Sequence, residues 1–204
     1  MSDHWLQEQF NNPKFDPRLK WFNEPPRWSI DPTRPGLTVE TAANTDFWQR
    51  THYGFQADNG HCLLATIPPS ADFLMSTHVR FHPVHQYDQA GLIVRLSADC
   101  WLKTSVEYEP EGPSRLGAVV TNAGYSDWST QDMPPDLRDI SLRIQRVRAD
   151  YTVEANIAGT WSQLRVAHLM EDLPSATLMA GLYACSPKQV GYRVTFAALQ
   201  VDLI

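Results

Sequence analysis

Three groups of side chains in this chain have types and spacings that can do chemistry. His78, His82 and His85 are followed by Asp88, a set able to ligate a metal or to contact a ligand through neutral imidazole. On an extended strand His78 and His82 share a face but stand about 13 Å apart, too far to hold one ion between them. His85 and Asp88 fall in the loop beyond, so a hydrogen-bonded surface role is the plainer reading of all four. Glu107, Glu109 and Glu111 alternate, and carboxyls two residues apart on a strand aim at the same bound sugar, as glycoside hydrolysis requires. Pro110 interrupts that strand, and Glu107-Tyr108-Glu109-Pro110-Glu111 lacks the Asp of the sandwich-glucanase signature Glu-x-Asp-x-x-Glu. Glu107 remains the catalytic candidate; a charged strand end leading into a turn is the plainer alternative. In the third group Trp101, Lys103 and Glu107 point the same way from one strand, with Arg95 on another. An aromatic ring beside charged hydrogen-bonding groups suits a sugar or small anionic ligand; the alternative is a solvated sheet face with charges paired across strands.

Other catalytic signatures are missing. There is no GxGxxG, phosphate-binding Gly-Lys-Ser/Thr loop, HExxH or CxxC, and no motif calls for a cofactor. Gly112-Pro113-Ser114-Arg115-Leu116-Gly117 is one residue too long for a Gly-x-Ser-x-Gly nucleophile elbow.

The elements that must position these groups have period two. Phe73, Met75, Thr77, Val79 and Phe81 oppose Ser76, His78, Arg80 and His82; Leu102, Thr104, Val106 and Tyr108 oppose Trp101, Lys103, Ser105 and Glu107. Leu92–Leu96, Leu142–Gln145 and Tyr151–Ile157 alternate likewise, and further strand-like runs cover 37–40, 61–67, 116–121, 161–168, 178–184 and 190–203. Such alternation marks antiparallel strands with one face in a core. Turn residues punctuate the runs, among them Asp58-Asn59-Gly60, whose Asn-Gly pair predicts a hairpin. Residues 1–36 carry six prolines at 13, 17, 25, 26, 32 and 35 together with Trp5, Phe10, Phe15, Trp21, Phe22 and Trp28. They read as an arm laid over the domain without regular structure, and 37–204 as a single β-sandwich domain.

Composition sets the outer limits. A net charge of −6 over 204 residues argues against nucleic acid, which needs a basic face to displace counterions. No apolar run approaches a membrane span, and the first residues lack a signal peptide's basic and apolar regions. Cys62, Cys100 and Cys185 are odd in number and sit in apolar surroundings, which predicts buried free thiols and a cytoplasmic location.

Several ordered segments carry a resemblance. Trp21-Phe22-Asn23-Glu24-Pro25-Pro26, Thr45-Asp46-Phe47-Trp48, Asp88-Gln89-Ala90-Gly91-Leu92 and Trp101-Leu102-Lys103 appear in order. Val120-Thr121-Asn122, Ser126-Asp127-Trp128-Ser129 and Gly181-Leu182-Tyr183-Ala184-Cys185-Ser186-Pro187 follow. The pattern resembles a family of unknown function, concanavalin-A-like in fold, whose fungal members include the regulation-of-enolase proteins. The resemblance implies a jelly-roll sandwich of two antiparallel sheets, no established catalytic activity, and attention to Asp46, Trp48, Asp88, Gln89, Lys103, Glu107, Asp127 and Ser129.

The expectation is therefore a non-catalytic module binding a carbohydrate or small polar metabolite through Trp101, Lys103, Glu107, Arg95, Asp88, Gln89, Trp48 and Asp127. In this reading Trp101 stacks on the ligand. The rivals are a glycan hydrolase using Glu107 and a regulatory protein contacting a metabolic enzyme through the N-terminal arm.

Overall fold

Alternating apolar residues close a core only if two sheets turn those faces toward each other, and the computed structural model is built that way. It describes residues 4–31, 33–134 and 136–204. Among these, one sheet has eight strands in the order β15 (Thr160–His168), β14 (Asp150–Ile157), β13 (Asp139–Val147), β8 (Phe73–His82), β17 (Arg193–Leu203), β4 (Arg34–Glu40) and β3 (Arg27–Asp31). Its eighth member, β1 (Leu6–Glu8), pairs with the far half of β17. The other sheet has seven, in the order β12 (Tyr125–Met133), β11 (Ser114–Asn122), β10 (Cys100–Glu107), β9 (Gln89–Ser97), β16 (Met179–Cys185), β7 (His61–Thr66) and β2 (Leu19–Phe22). All these strand pairings are antiparallel. The fold is an all-β jelly-roll sandwich, and the described residues contain no helix.

The inner faces follow the sequence register. Phe73, Met75, Val79 and Phe81 of β8 and Leu142 and Ile144 of β13 pack against Leu92, Val94, Leu102, Leu116 and Val120 of the facing sheet. The strongest alternations thus fall on core strands β8, β13 and β14, where one face is buried and register is most tightly specified, whereas β10 is buried on both faces.

Two expectations change. The residues read as an unstructured arm supply β1, β2 and β3, which extend both sheets. Leu6 and Phe10 are fully buried and Leu19 nearly so, while Phe15, Trp21 and Trp28 stack on one another with centroids 5.4–6.2 Å apart. Proline confines these strands to short edge pieces, which is where a missing N–H is tolerated. Asn59-Gly60 closes no hairpin, since β6 (Gln56–Asp58) pairs with β5 (Phe47–Gln49) and β7 pairs with β16 and β2. Instead Asn59 accepts a hydrogen bond from Asp46 N through its side-chain oxygen (3.0 Å) and donates to Asn44 O (2.9 Å). The Asx chemistry that favours turns here ties the loop before β5 to the entry of β7.

The small β5–β6 sheet lies on the outer face of the seven-stranded sheet. Phe47 packs edge-on against Trp101 and Tyr183 at 5.8 and 6.3 Å, forming a second apolar cluster with Cys62, Leu64, Ile93, Val119 and Cys185. Polar ties hold this cover down. Gln49 N donates to Ser126 Oγ (2.8 Å), and Arg50 donates to Gly124 O (2.9 Å). Gly124 sits at φ +73 in the β11–β12 hairpin, and a Cβ there would fall 1.9 Å from the Arg50 guanidinium. Glycine therefore permits both the turn and the anchor.

Candidate functional site

What the cover leaves open is a cleft of about 540 Å³ on the outer face of the seven-stranded sheet. Lys103 and Glu107 of β10, with Val119 and Arg115 of β11, form its floor. Trp48, Tyr53 and Phe55 from the β5–β6 hairpin make one wall; Trp128 of β12 and Tyr87 from the β8–β9 loop stand on others. Tyr53, Phe55 and Trp128 are 71%, 49% and 41% exposed, an unusual concentration of apolar rings in water. Trp48 is half-buried and held by Nε1 donating to Thr51 O (3.0 Å), with Tyr53 6.2 Å away ring to ring.

A polar chain runs along the floor. Lys103 Nζ donates to Asp46 Oδ1 (3.2 Å) and to Gln89 Oε1 (2.8 Å). It lies 5.8 and 5.6 Å from the rings of Trp101 and Tyr183, which favours a cation at a site otherwise costly for one. Gln89 Nε2 donates to Glu107 Oε2 (2.9 Å), and the Tyr183 hydroxyl donates to Gln89 Oε1 (3.2 Å). Burial pushes the Glu107 carboxyl up to about 8 against the pull of Lys103, with the carboxylates of Asp46 and Glu109 adding to the rise. At neutral pH Glu107 is therefore predominantly a carboxylic acid. Glu109 also lines the cleft and accepts from Gln86 Nε2 (2.9 Å), whereas Glu111 is exposed in the following turn.

The structure brings Trp48, Lys103, Glu107 and Gln89 together and sends the other sequence candidates elsewhere. Trp101 lies on the expected face, but Phe47 covers it completely. Its indole N–H is spent on Ala98 O (3.1 Å), so it offers a ligand no surface to stack on. Arg95 is buried beneath the same cover, paired with Asp58 (2.5 Å) and 4.7 Å over the Phe22 ring. Asp88 is 1% exposed and caps a loop, accepting from Val84 N and His85 N (both 2.8 Å) and from Ser186 Oγ (2.5 Å). Asp127 sits on the side of β12 opposite to Trp128 and pairs in solvent with Arg165 of β15 (3.1 Å). His78 and His82 project from the outer face of the eight-stranded sheet, across the molecule from the cleft. His78 is engaged with Ser141 (3.0 Å) and Asp139 (3.6 Å), and His85 lies in the β8–β9 loop. No three His, Cys, Asp or Glu side chains among the described residues gather at metal-binding distance.

Sequence reasoning passed over Tyr53, Phe55, Tyr87 and Trp128. Trp128 had a usable signal: it is the one large apolar residue in Ser126–Asp132, a run too polar to face a core on either side. The three thiols are free and buried, and no helix among the described residues is long and apolar enough to cross a membrane.

Comparison with known proteins puts this geometry in context. The chain is 34% identical over 178 residues to "Regulation of enolase protein 1" of Saccharomyces cerevisiae, covering 87% of this chain and 85% of that protein. A solved structure described as a functionally unknown protein from Saccharomyces cerevisiae superposes with a TM-score of 0.81 at 32% identity, over 92% of this chain and 97% of that one. A Bacteroides ovatus glycoside hydrolase, Xyloglucan PUL GH43B, gives 0.76 at 17% identity, with 97% of this chain matching 39% of the enzyme; that likeness is one of fold. The sequence profile of a family described as "Protein of unknown function (DUF1349)" matches residues 21–203, and the chain belongs to that family.

Proposed function

We propose that the protein is a non-catalytic binding module for a carbohydrate or similar small polar ligand, seated in the cleft over β10 and β11. The observation that carries the reading is the placement of Trp48, Tyr53, Phe55, Tyr87 and Trp128 around a floor bearing Lys103 and Glu107. Sugars present apolar C–H faces flanked by hydroxyls, so rings that stack beside fixed polar groups match them. The cleft volume lies within the usual range of small-molecule sites, about 300–1,000 Å³. Buried unpaired thiols fit an intracellular, cytoplasmic setting.

The test is calorimetric titration with a panel of neutral and acidic mono- and oligosaccharides, xyloglucan fragments included, on the parent protein and on Trp128→Ala. Millimolar or tighter binding that weakens at least tenfold in the variant supports the reading. Absence of binding across the panel refutes it. Release of reducing sugar would instead favour hydrolysis, with Glu107 as acid and Asp46 or Glu109 as the second carboxyl.

A second reading is contact with a metabolic enzyme, favoured by the name of the yeast relative. The exposed rim of Tyr53, Phe55 and Trp128 suits it better than the N-terminal aromatics, which pack on the core. Co-purification with enolase, lost in a Tyr53→Ala/Phe55→Ala double variant, would support it.

A further inference from the structure

The hydrogen bonds around Glu107 fix which of its oxygens is left free. The orientation of the Gln89 amide is determined by its partners, since Lys103 Nζ and the Tyr183 hydroxyl both donate to Oε1 (2.8 and 3.2 Å). Reversing the amide would set an N–H₂ against a lysine cation. Gln89 Nε2 must therefore face Glu107, and it donates to Oε2 at 2.9 Å. With Oε2 engaged by that amide, Oε1 is the oxygen from which the protonated carboxyl can donate. Among the described residues Oε1 has no protein hydrogen-bond partner, nor is it a sealed buried atom; it opens on the cleft.

The charged groups facing this carboxyl are otherwise engaged. Lys103, on the same strand, is paired with Asp46. Arg115, directly opposite on β11, is paired with Asp132 of β12. Asp46 and Glu109 are like charges that oppose ionisation, and from β16 comes the Tyr183 phenol, held neutral by burial. On the cleft rim Lys188 lies over the Tyr87 ring, 5.1 Å from its centroid.

We propose that Glu107 reads the ligand as a hydrogen-bond donor, giving its Oε1 proton to a hydroxyl, ring or carboxylate oxygen of the bound saccharide, so that ionisation of Glu107 expels the ligand. This rests on the cleft being a saccharide site and adds how that site selects. Glu107 becomes a specificity-determining residue that requires an acceptor oxygen at one position, and affinity becomes linked to pH. No bond is made or broken; the proton stays on Glu107 and is shared with the ligand oxygen.

The experiment is calorimetric titration of xylobiose, cellobiose and glucuronate between pH 6 and pH 9.5, with a ¹³C NMR titration of the Glu107 carboxyl with and without saturating sugar. The expected result is an affinity that is flat at low pH and falls about tenfold per pH unit once Glu107 ionises, together with a Glu107 pKa that rises on saturation. In Glu107→Gln an amide N–H₂ replaces the acid as donor at every pH, so the profile flattens; in Glu107→Ala binding is lost. Saturable binding to the parent that is unchanged from pH 6 to pH 9.5, or a Glu107 pKa that falls on saturation, overturns the inference and leaves the saccharide reading standing. Failure of all three sugars to bind at any pH overturns both.

Discussion

Replacing Glu107 by glutamine should make the protein more stable at alkaline pH, and the size of the effect can be worked out. Burial holds the folded carboxyl at about 8, against 4.5 for the free group. Between these values the unfolded chain has lost its proton while the folded chain keeps it. The folded state then binds more protons, and stability must fall as pH rises through that window. The slope is about 1.4 kcal/mol per pH unit for one group, so the full window is worth on the order of 5 kcal/mol. Above pH 8 no further loss comes from this site; below pH 4.5 both states are protonated and none is felt. Glutamine keeps the acceptor that Gln89 requires and carries no charge, so it removes the slope. Urea unfolding of both proteins at pH 5, 6, 7, 8 and 9 isolates the term, because other titrations cancel in the difference. The variant should gain steadily with pH and stand several kcal/mol above the parent at pH 8, a shift of roughly 10 °C in Tm for a chain of this size. Parallel stability curves would show that the Glu107 carboxyl is solvated, and the account of the cleft floor would fall with it.

Trp101→Ala should cost about 3–5 kcal/mol by opening a cavity under Phe47, whereas Trp128→Ala, at an exposed site, should leave stability within about 0.5 kcal/mol; equal losses in denaturant would contradict the burial described. Asp88→Ala strands two backbone N–H groups and the Ser186 hydroxyl, and should destabilise by roughly 3 kcal/mol or more, measurable as a lowered urea midpoint. Deleting residues 1–20 removes Leu6, Phe10 and Leu19 from the core, each worth about 1.5–3 kcal/mol, so the shortened chain should lose its cooperative thermal transition; an intact transition would mean that the segment is dispensable. Burial pushes the thiols of Cys62 and Cys185 up, so an aromatic disulfide reagent at pH 8 should react with neither until denaturant is added.

How far the sequence reached depended on whether a signal was local. Period two on β8, β10, β13 and β14 marks which residues face the core, because burial of one strand face writes itself into consecutive positions. By the same logic Trp101 and Lys103 lie on the outer face, as expected. What decides between exposure and burial there is Phe47, more than fifty positions earlier, carried on a three-residue strand too short to show a period. The buried pair Arg95–Asp58 belongs to the same cover and was hidden for the same reason. Edge strands escaped notice as well. β12 is solvated along much of its length and so does not alternate, while β1–β3 are cut short by proline. The aromatic residues that wall the cleft therefore come from weakly patterned segments, and its floor from strongly patterned ones.

The position of β17 has a consequence for how the molecule is made. Residues 193–203 are the last of the described strands, yet they lie between β8 on one side and β4 and β1 on the other. During synthesis from the N-terminus, β1 has no partner and the β3–β4 pair no further neighbour in its sheet until β17 is made. Without β17 the eight-stranded sheet is three pieces, the β15–β14–β13–β8 block, the β4–β3 pair and β1, with unsatisfied edges prone to pairing with other chains. Assembly of that sheet thus waits for β17 and is dominated by contacts between distant parts of the chain, which places folding toward the slow end for domains of its size. A nascent chain stalled before Arg193 should hold its partly made sandwich open to chaperones.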